Sequence, residues 1–260
     1  MLGTSMHRTA EPDAAHALDE QIDARAGGRP HWPAAAPPEA QTQLIGRDSE
    51  LAELAELVRD PDRQVITLVG MGGVGKSRLA AELARLERAR LAGRVAFVPL
   101  DCVTDPSLLL AAMAGSLGVK DEPGSALAER LADELGRRPS LLVLDTVEHL
   151  RPAAPALAAL TARAPAVTVV TTSRVAMGVP GERIVWVEPL AVPMADSETA
   201  ADAPAVRLFL ERAAEIRPDL DVTPATLHVI AEICRRLDGI PLAIELATAA
   251  LRMLAPHQLL

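Results

Sequence analysis

The sequence predicts an α/β protein, a five-stranded parallel sheet sandwiched by helices and followed by a small helical subdomain. Three observations predict it. Apolar, β-branched runs recur at 65–69, 94–101, 140–145, 167–174 and 183–190, with helical leucine spacing between them. The first run leads directly into a glycine-rich loop and then a helix, over residues 65–86. Beyond residue 190 the strand-like runs stop and only helical periodicity remains.

Residues 1–42 are rich in Ala, Pro, Gly and charge and carry few large apolar side chains to offset the entropy of ordering. They are expected to be tail or linker, with room for a short helix around Ala14–Ala24; Met1–Ser5 reads as a cloning remnant or an early start. Order begins at Leu44-Ile45-Gly46-Arg47-Asp48-Ser49-Glu50-Leu51. There Leu51, Leu54, Leu57 and Val58 form a helical stripe up to the Asp60-Pro61 break. Arg47 sits either on the wet side of that helix or at a ligand of the loop that follows.

That loop is Gly70-Met71-Gly72-Gly73-Val74-Gly75-Lys76-Ser77, which matches G-x-x-x-x-G-K-[ST], the P-loop. Strand Val65–Val69 precedes it, and a helix with Leu79, Leu83 and Leu86 on one face follows. Without Cβ atoms the glycines let the backbone wrap a triphosphate, and N–H groups of the loop and first helical turn, from Gly70 to Arg78, aim at phosphate oxygens. Lys76 would reach the β- and γ-phosphates and the Ser77 hydroxyl would ligate Mg²⁺.

The next strand is Arg94–Asp101. A helix starts at Pro106 with Asp105 as its cap, and another carries Leu127, Leu131 and Leu135 on one face. Ser140-Leu141-Leu142-Val143-Leu144-Asp145 is apolar without alternation, as suits a strand buried on both faces of a parallel sheet. It ends in a carboxylate at the sheet edge where α/β ligands sit. Asp145 would hold Mg²⁺, generally through water, or cap the next turn; the P-loop upstream favours metal. A helix follows from Pro152. Val167–Arg174 is again a strand, and Arg174 at its end is placed to reach a γ-phosphate or to lie solvated in the loop. The last strand is Arg183–Leu190.

After a polar loop over 195–203, one helical face is formed by Val206, Phe209, Leu210, Ala213 and Ile216. A second is formed by Leu227, Ile230, Cys234 and Leu237 behind a Thr223 cap and Pro224. A third helix is expected over Pro241–Leu254, preceded by Leu237-Asp238-Gly239-Ile240. The end at Leu260, just after Pro256, reads as a truncation.

Net charge is −9, so no basic excess drives binding to a phosphate backbone, and direct nucleic-acid binding by this segment is not expected. No apolar run has membrane-spanning length and no signal peptide is recognisable, so no membrane partner and a cytoplasmic location are expected. Cys102 and Cys234 lie in apolar settings without metal-ligand spacing and read as small buried hydrophobes in a reducing compartment.

In order along the chain, LIGRDSEL, GMGGVGKS, LLVLDTVEHL, VVTTSR and GIPLAIELATAALR resemble the motifs of the NB-ARC group of STAND signal-transduction ATPases. The resemblance covers about Leu44 to Leu260. It implies a P-loop NTPase whose P-loop strand lies between the fourth and fifth strands, with nucleotide-binding residues 43–190 and a helical lid at 191–260. It further implies ATP or ADP with Mg²⁺ as ligands and places Arg47 near the nucleotide. Lys76 and Ser77 fall on phosphate and metal, Asp145 becomes the Walker B acid, Arg174 a γ-phosphate sensor, and Pro241 a contact to adenine or its ribose. Lys76, Asp145 and Arg174 would carry any catalysis.

The function implied is a slow ATPase switch in a signalling or transcription-regulatory protein, with self-association in the ATP state and further protein domains as partners. The alternative is an ATP-consuming enzyme, an AAA-like motor or a kinase. Thr146 stands where an AAA-type motor would carry a water-activating Glu, and Glu148 is the nearest alternative.

Overall fold

The computed structural model of the 260-residue chain describes residues 36–38, 42–120, 126–194 and 199–260. The expected helix around Ala14–Ala24, and most of the expected tail, lie outside the described residues. The elements are α1 (Asp48–Arg59), β1 (Val65–Val69), α2 (Lys76–Arg90), β2 (Val95–Pro99), α3 (Leu109–Leu117), α4 (Leu127–Gly136) and β3 (Ser140–Asp145). They continue with α5 (Ala154–Arg163), β4 (Val167–Ser173), β5 (Arg183–Trp186), α6 (Pro204–Ile216), α7 (Pro224–Arg236) and α8 (Pro241–Ala249).

The five strands form one parallel sheet in the order β2-β3-β4-β1-β5, so the P-loop strand lies between the fourth and fifth strands as expected. The central strands carry the sheet's apolar character on both faces. Leu141 and Val143 pack with Leu54 and Val58 of α1 and Leu79 and Leu83 of α2. Leu142 and Leu144 pack on the opposite side with Met113 of α3, Leu131 and Leu135 of α4, and Leu157 of α5. This sandwich explains the unalternated sequence of β3, whose first five residues are all buried. A third core, built on Phe209, Ile230, Cys234, Ile244 and Leu251, joins α6, α7 and α8 with Ile45 and Leu190.

Proline chemistry accounts for where elements begin and end. Asp105 accepts the Ser107 N–H at 2.9 Å, but Pro106–Leu108 is a 3₁₀ turn and α-helical bonding starts at Leu109. The helix expected from Pro152 starts at Ala154, with Pro155 in its first turn, and Pro152 lies within the preceding 3₁₀ segment Glu148–Ala153. The Thr223 hydroxyl caps α7 by accepting from Thr226 N–H, as its position predicts. The third helix beyond the sheet is shorter than expected, giving way after Ala249 to the 3₁₀ turn Ala250–Arg252.

The final strand stops at Trp186 instead of Leu190. Val187 still donates to Val69 O at 2.8 Å, but Pro189 has no N–H with which to extend the ladder. Cys102 is exposed, contrary to expectation, because it lies in the turn just past β2 rather than in the strand. Cys234 is buried, and burial pushes its thiol up to about 12. Among the described residues no helix is long and apolar enough to cross a membrane.

Candidate functional site

The C-terminal ends of β1, β3 and β4 bring the sequence-predicted residues to one edge of the sheet. Gly75, at φ +101°, turns the chain into α2, so the first residues of that helix are Lys76 and Ser77. The Lys76 ammonium lies inside the loop, donating to Gly70 O at 2.8 Å and to Met71 O at 2.9 Å. Partial burial lowers its pKa, and the Arg174 charge lowers it further against the opposing pull of Glu148 and Asp145. Those four groups therefore share one electrostatic site. Ser77 and Asp145 line the same cleft, of about 490 Å³. One hydroxyl and one carboxylate facing a phosphate loop make a donor set that suits Mg²⁺, which keeps waters and takes its remaining oxygens from phosphate.

Asp145 is oriented by a residue that sequence reasoning missed. Thr172 Oγ1 donates to Asp145 Oδ1 and accepts the Thr146 N–H at 2.8 Å. Thr146 sits at φ +65°, a strained value for a β-branched residue, so the chain turns sharply immediately after Asp145. Adjacent buried threonines near the strand's C-terminal end, Thr171-Thr172, were the available signal. Thr171 is also spoken for, with its Oγ1 2.7 Å from Thr67 Oγ1 across the ladder. Arg174 extends past the end of β4 and pairs with Glu148 Oε1 at 3.2 Å.

Arg47 is buried, and its guanidinium is committed to protein. It donates to Val74 O at 3.0 Å, to Glu188 O at 2.6 Å and to Glu50 Oε1 at 2.7 Å. It therefore braces the loop against the segment that leaves β5. Burial pushes the Glu50 carboxyl up, but hydrogen bonds from Arg47, its own N–H and Ser49 outweigh that and hold it below the usual range. Arg78 is likewise occupied. It donates to Thr42 O and Oγ1, both at 2.6 Å, and to Gln43 O at 2.8 Å.

The start of α8 meets the loop directly. Leu242 N–H donates to Gly73 O at 3.2 Å. Gly73 has φ +78°, and a Cβ there would lie 2.9 Å from that of Leu242, so the contact requires glycine. Gly239 abuts the chain leaving β5, where a Cβ would come within 2.0 Å of Leu190 O. Pro241 lines a small cavity together with Ile45, Arg47, Val74, Gly75 and Leu208. Thr42 ties the two parts together, since its Oγ1 accepts from Arg78 and also from Arg212 of α6 at 2.7 Å. Arg212 in turn reaches Glu245 of α8 at 3.1 Å. No sequence pattern announced Thr42 or Arg212, and Glu245, though inside the GIPLAIELATAALR motif, carried no role of its own there.

Residues 43–171 match the family described as AAA ATPase domain. A Mycobacterium tuberculosis protein named "Putative HTH-type transcriptional regulator Rv0890c" is 38% identical over 197 residues, covering 75% of this chain and 21% of that protein. Another from the same organism, named "Uncharacterized protein Rv0894", is 36% identical over 224 residues, covering 84% of this chain and 53% of its own length. The chain thus spans about a fifth to a half of the curated relatives it matches. Among solved structures, the Walker-type ATPase PABY2304 of Pyrococcus abyssi superposes with a TM-score of 0.56 at 15% identity. It covers 84% of this chain and 70% of that one, a likeness of fold.

Proposed function

From an AAA-type ATPase domain at residues 43–171 on a P-loop NTPase fold, we propose that this chain is the ATP/ADP-binding switch of a larger signalling or transcription-regulatory protein of NB-ARC type. One observation carries the reading: the lid helix α8 is hydrogen-bonded by its first turn to the P-loop itself, Leu242 N–H to Gly73 O. A ligand that rearranges the loop must then bias the lid, which is what a two-state switch needs. The resemblance of five ordered motifs to the NB-ARC group, and the regulator name of a relative, support the same reading.

In it, Lys76 holds phosphate, Ser77 and Asp145 hold the metal shell, and Pro241 closes the base end of the site. Mg²⁺, when bound, would neutralise charge developing between the β- and γ-phosphates. Arg47 acts by fixing the loop. Lys76→Ala should abolish nucleotide-induced thermal stabilisation, which for ligand at a thousandfold its Kd amounts to about 4 kcal/mol. For a chain of this size that is about 10 °C. A full shift in that variant, on a protein that still folds, would remove the assignment.

The AAA match itself favours a second reading, a motor that consumes ATP continuously. Turnover separates the two. The carboxylate position next to Asp145 is Thr146, which cannot take a proton from water as Glu does. Steady-state hydrolysis without a partner should therefore lie far below about 1 s⁻¹, and many turnovers per second would select the motor.

A further inference from the structure

At the edge of the sheet opposite the P-loop, where the strands begin, lies a second cavity of about 230 Å³. It opens between the ends of α1 and α2 and the starts of β3 and β4. Its walls are mostly apolar, with Val58, Pro61, Leu91, Pro139 and Pro165 among them. Two cations, Arg59 and Arg90, line it as well.

The two guanidiniums are fixed from behind. Glu87 of α2 is fully buried, and its carboxylate pairs with Arg59 Nη2 at 2.8 Å and with Arg90 Nε. The arginines themselves remain 43% and 42% exposed. A buried charge of this kind brings little net stability, because desolvation offsets the attraction. Its particular effect here is to hold two cations in place at the mouth of a cavity while cancelling only one of them.

Arg90 is left with Nη1 and Nη2, and Arg59 with Nε, unbonded to protein among the described residues. The uncharged donors of the wall are spent. Gln64 Nε2 donates to Thr161 O at 3.3 Å, Ser140 to Leu135 O at 3.4 Å and Thr168 to Val58 O at 3.4 Å. Asp60, the one acid in the wall, accepts the Asp62 N–H at 3.0 Å and lies 3.6 Å from Arg63. Glu56, which meets Arg59 Nη1 at 3.2 Å, stands largely in water. The free hydrogen-bonding capacity of the wall's donors is therefore cationic.

We propose that this cavity binds a small organic carboxylate, with its carboxylate across the terminal nitrogens of Arg90 and its apolar body against Leu91 and the prolines. A guanidinium's planar fork matches a planar carboxylate and forms two parallel charge-assisted bonds with it. The volume is below that of a drug-sized ligand and suits a single ring or a short branched chain. The site lies at the far end of α2 from Lys76, and the proposal does not rest on the nucleotide reading.

Benzoate is the probe, titrated into the isotope-labelled full chain while backbone amide shifts are followed. Saturable shifts with a Kd on the order of 1 mM should gather at residues 58–64, 90–91 and 165–168. Benzyl alcohol keeps the ring without the charge, and inorganic phosphate keeps charge without the ring. Each should bind there about tenfold more weakly or less. Arg90→Gln should weaken benzoate by about tenfold. Ala166→Leu, which adds bulk to the wall and leaves both guanidiniums in place, should abolish binding. Shifts gathered at 70–78 instead would mean that the P-loop takes the anion, and the proposal falls. No saturation by about 20 mM overturns it too, as does equal binding of benzyl alcohol or phosphate, or an unchanged Kd in Arg90→Gln or Ala166→Leu. Should Arg90→Gln fail to fold, Arg90→Lys keeps the charge without the fork, and a Kd equal to the parent's would overturn the proposal.

Discussion

At the scale of single residues, the side chains gathered at the strand ends differ from those spent on holding the loop in how they could be read from sequence. Lys76, Ser77 and Asp145 were legible because the P-loop and the strand-end acid are local patterns with a chemical reason. Arg47 was legible only as a position. Which carbonyls it satisfies depends on Val74 and Glu188 lying 27 and 141 residues away. Its partner Glu50 gives a pH prediction. A carboxyl held below its ordinary 4.5 stabilises the fold fully above that value and loses the contribution as pH falls through its lower, folded pKa. Glu50→Gln should therefore lower stability at pH 7 by less than about 1 kcal/mol, Glu50 being partly exposed, and the deficit should vanish in acid. Urea melts of both proteins at pH 7 and pH 3 check the sign; an equal deficit at both would remove the charge from the explanation.

At the scale of elements, the strands and helices were legible where packing repeats and obscure where it does not. The buried strand β3 and the Thr223 cap each follow from one local rule. The early end of β5 follows from Pro189, which has no N–H to extend the ladder, a local signal that the apolar run over 183–190 masked. Cys102 was misread because a hydrophobic neighbourhood in sequence became a turn in space. The junction of α8 with the P-loop is the element-scale contact most open to test. Gly73→Ala adds a methyl 2.9 Å from Leu242 Cβ at positive φ, which costs about 1–3 kcal/mol if the contact stays closed. Melting should fall by about 2–10 °C. Leu242→Gly in the same chain removes that Cβ and should recover part of the loss, and an additive double variant would show that the two residues do not meet.

At the scale of the whole molecule, α2, the 42–43 segment and helices α6 and α8 are joined through one polar cluster: Arg78, Thr42, Arg212 and Glu245. Arg212 is buried while Glu211, Glu215 and Glu245 around it are partly open to water, so truncating it strands charges that solvent can still reach. Arg212→Ala should therefore cost about 1–3 kcal/mol, less than the loss of a fully buried pair. The loss should appear as faster hydrogen exchange in α6 and α8 before it appears in the sheet. Uniform exchange throughout the chain would mean that the cluster holds the entire fold rather than the lid.

On the proposed switch reading, the bond between Leu242 and Gly73 would also set a tempo. A molecule seated between the loop and Pro241 would leave only when that bond opens, so its residence time would follow the frequency of α8 excursions as well as its own affinity. Tight retention then needs no unusually strong contact, and a partner that only pries α8 away would act as an exchange factor without touching the bound molecule. Release of a fluorescent ADP from Leu242→Pro, which lacks the donating N–H, should be several times faster than from the parent chain, with the rate of capture also raised; identical release rates would leave the clock elsewhere in the molecule.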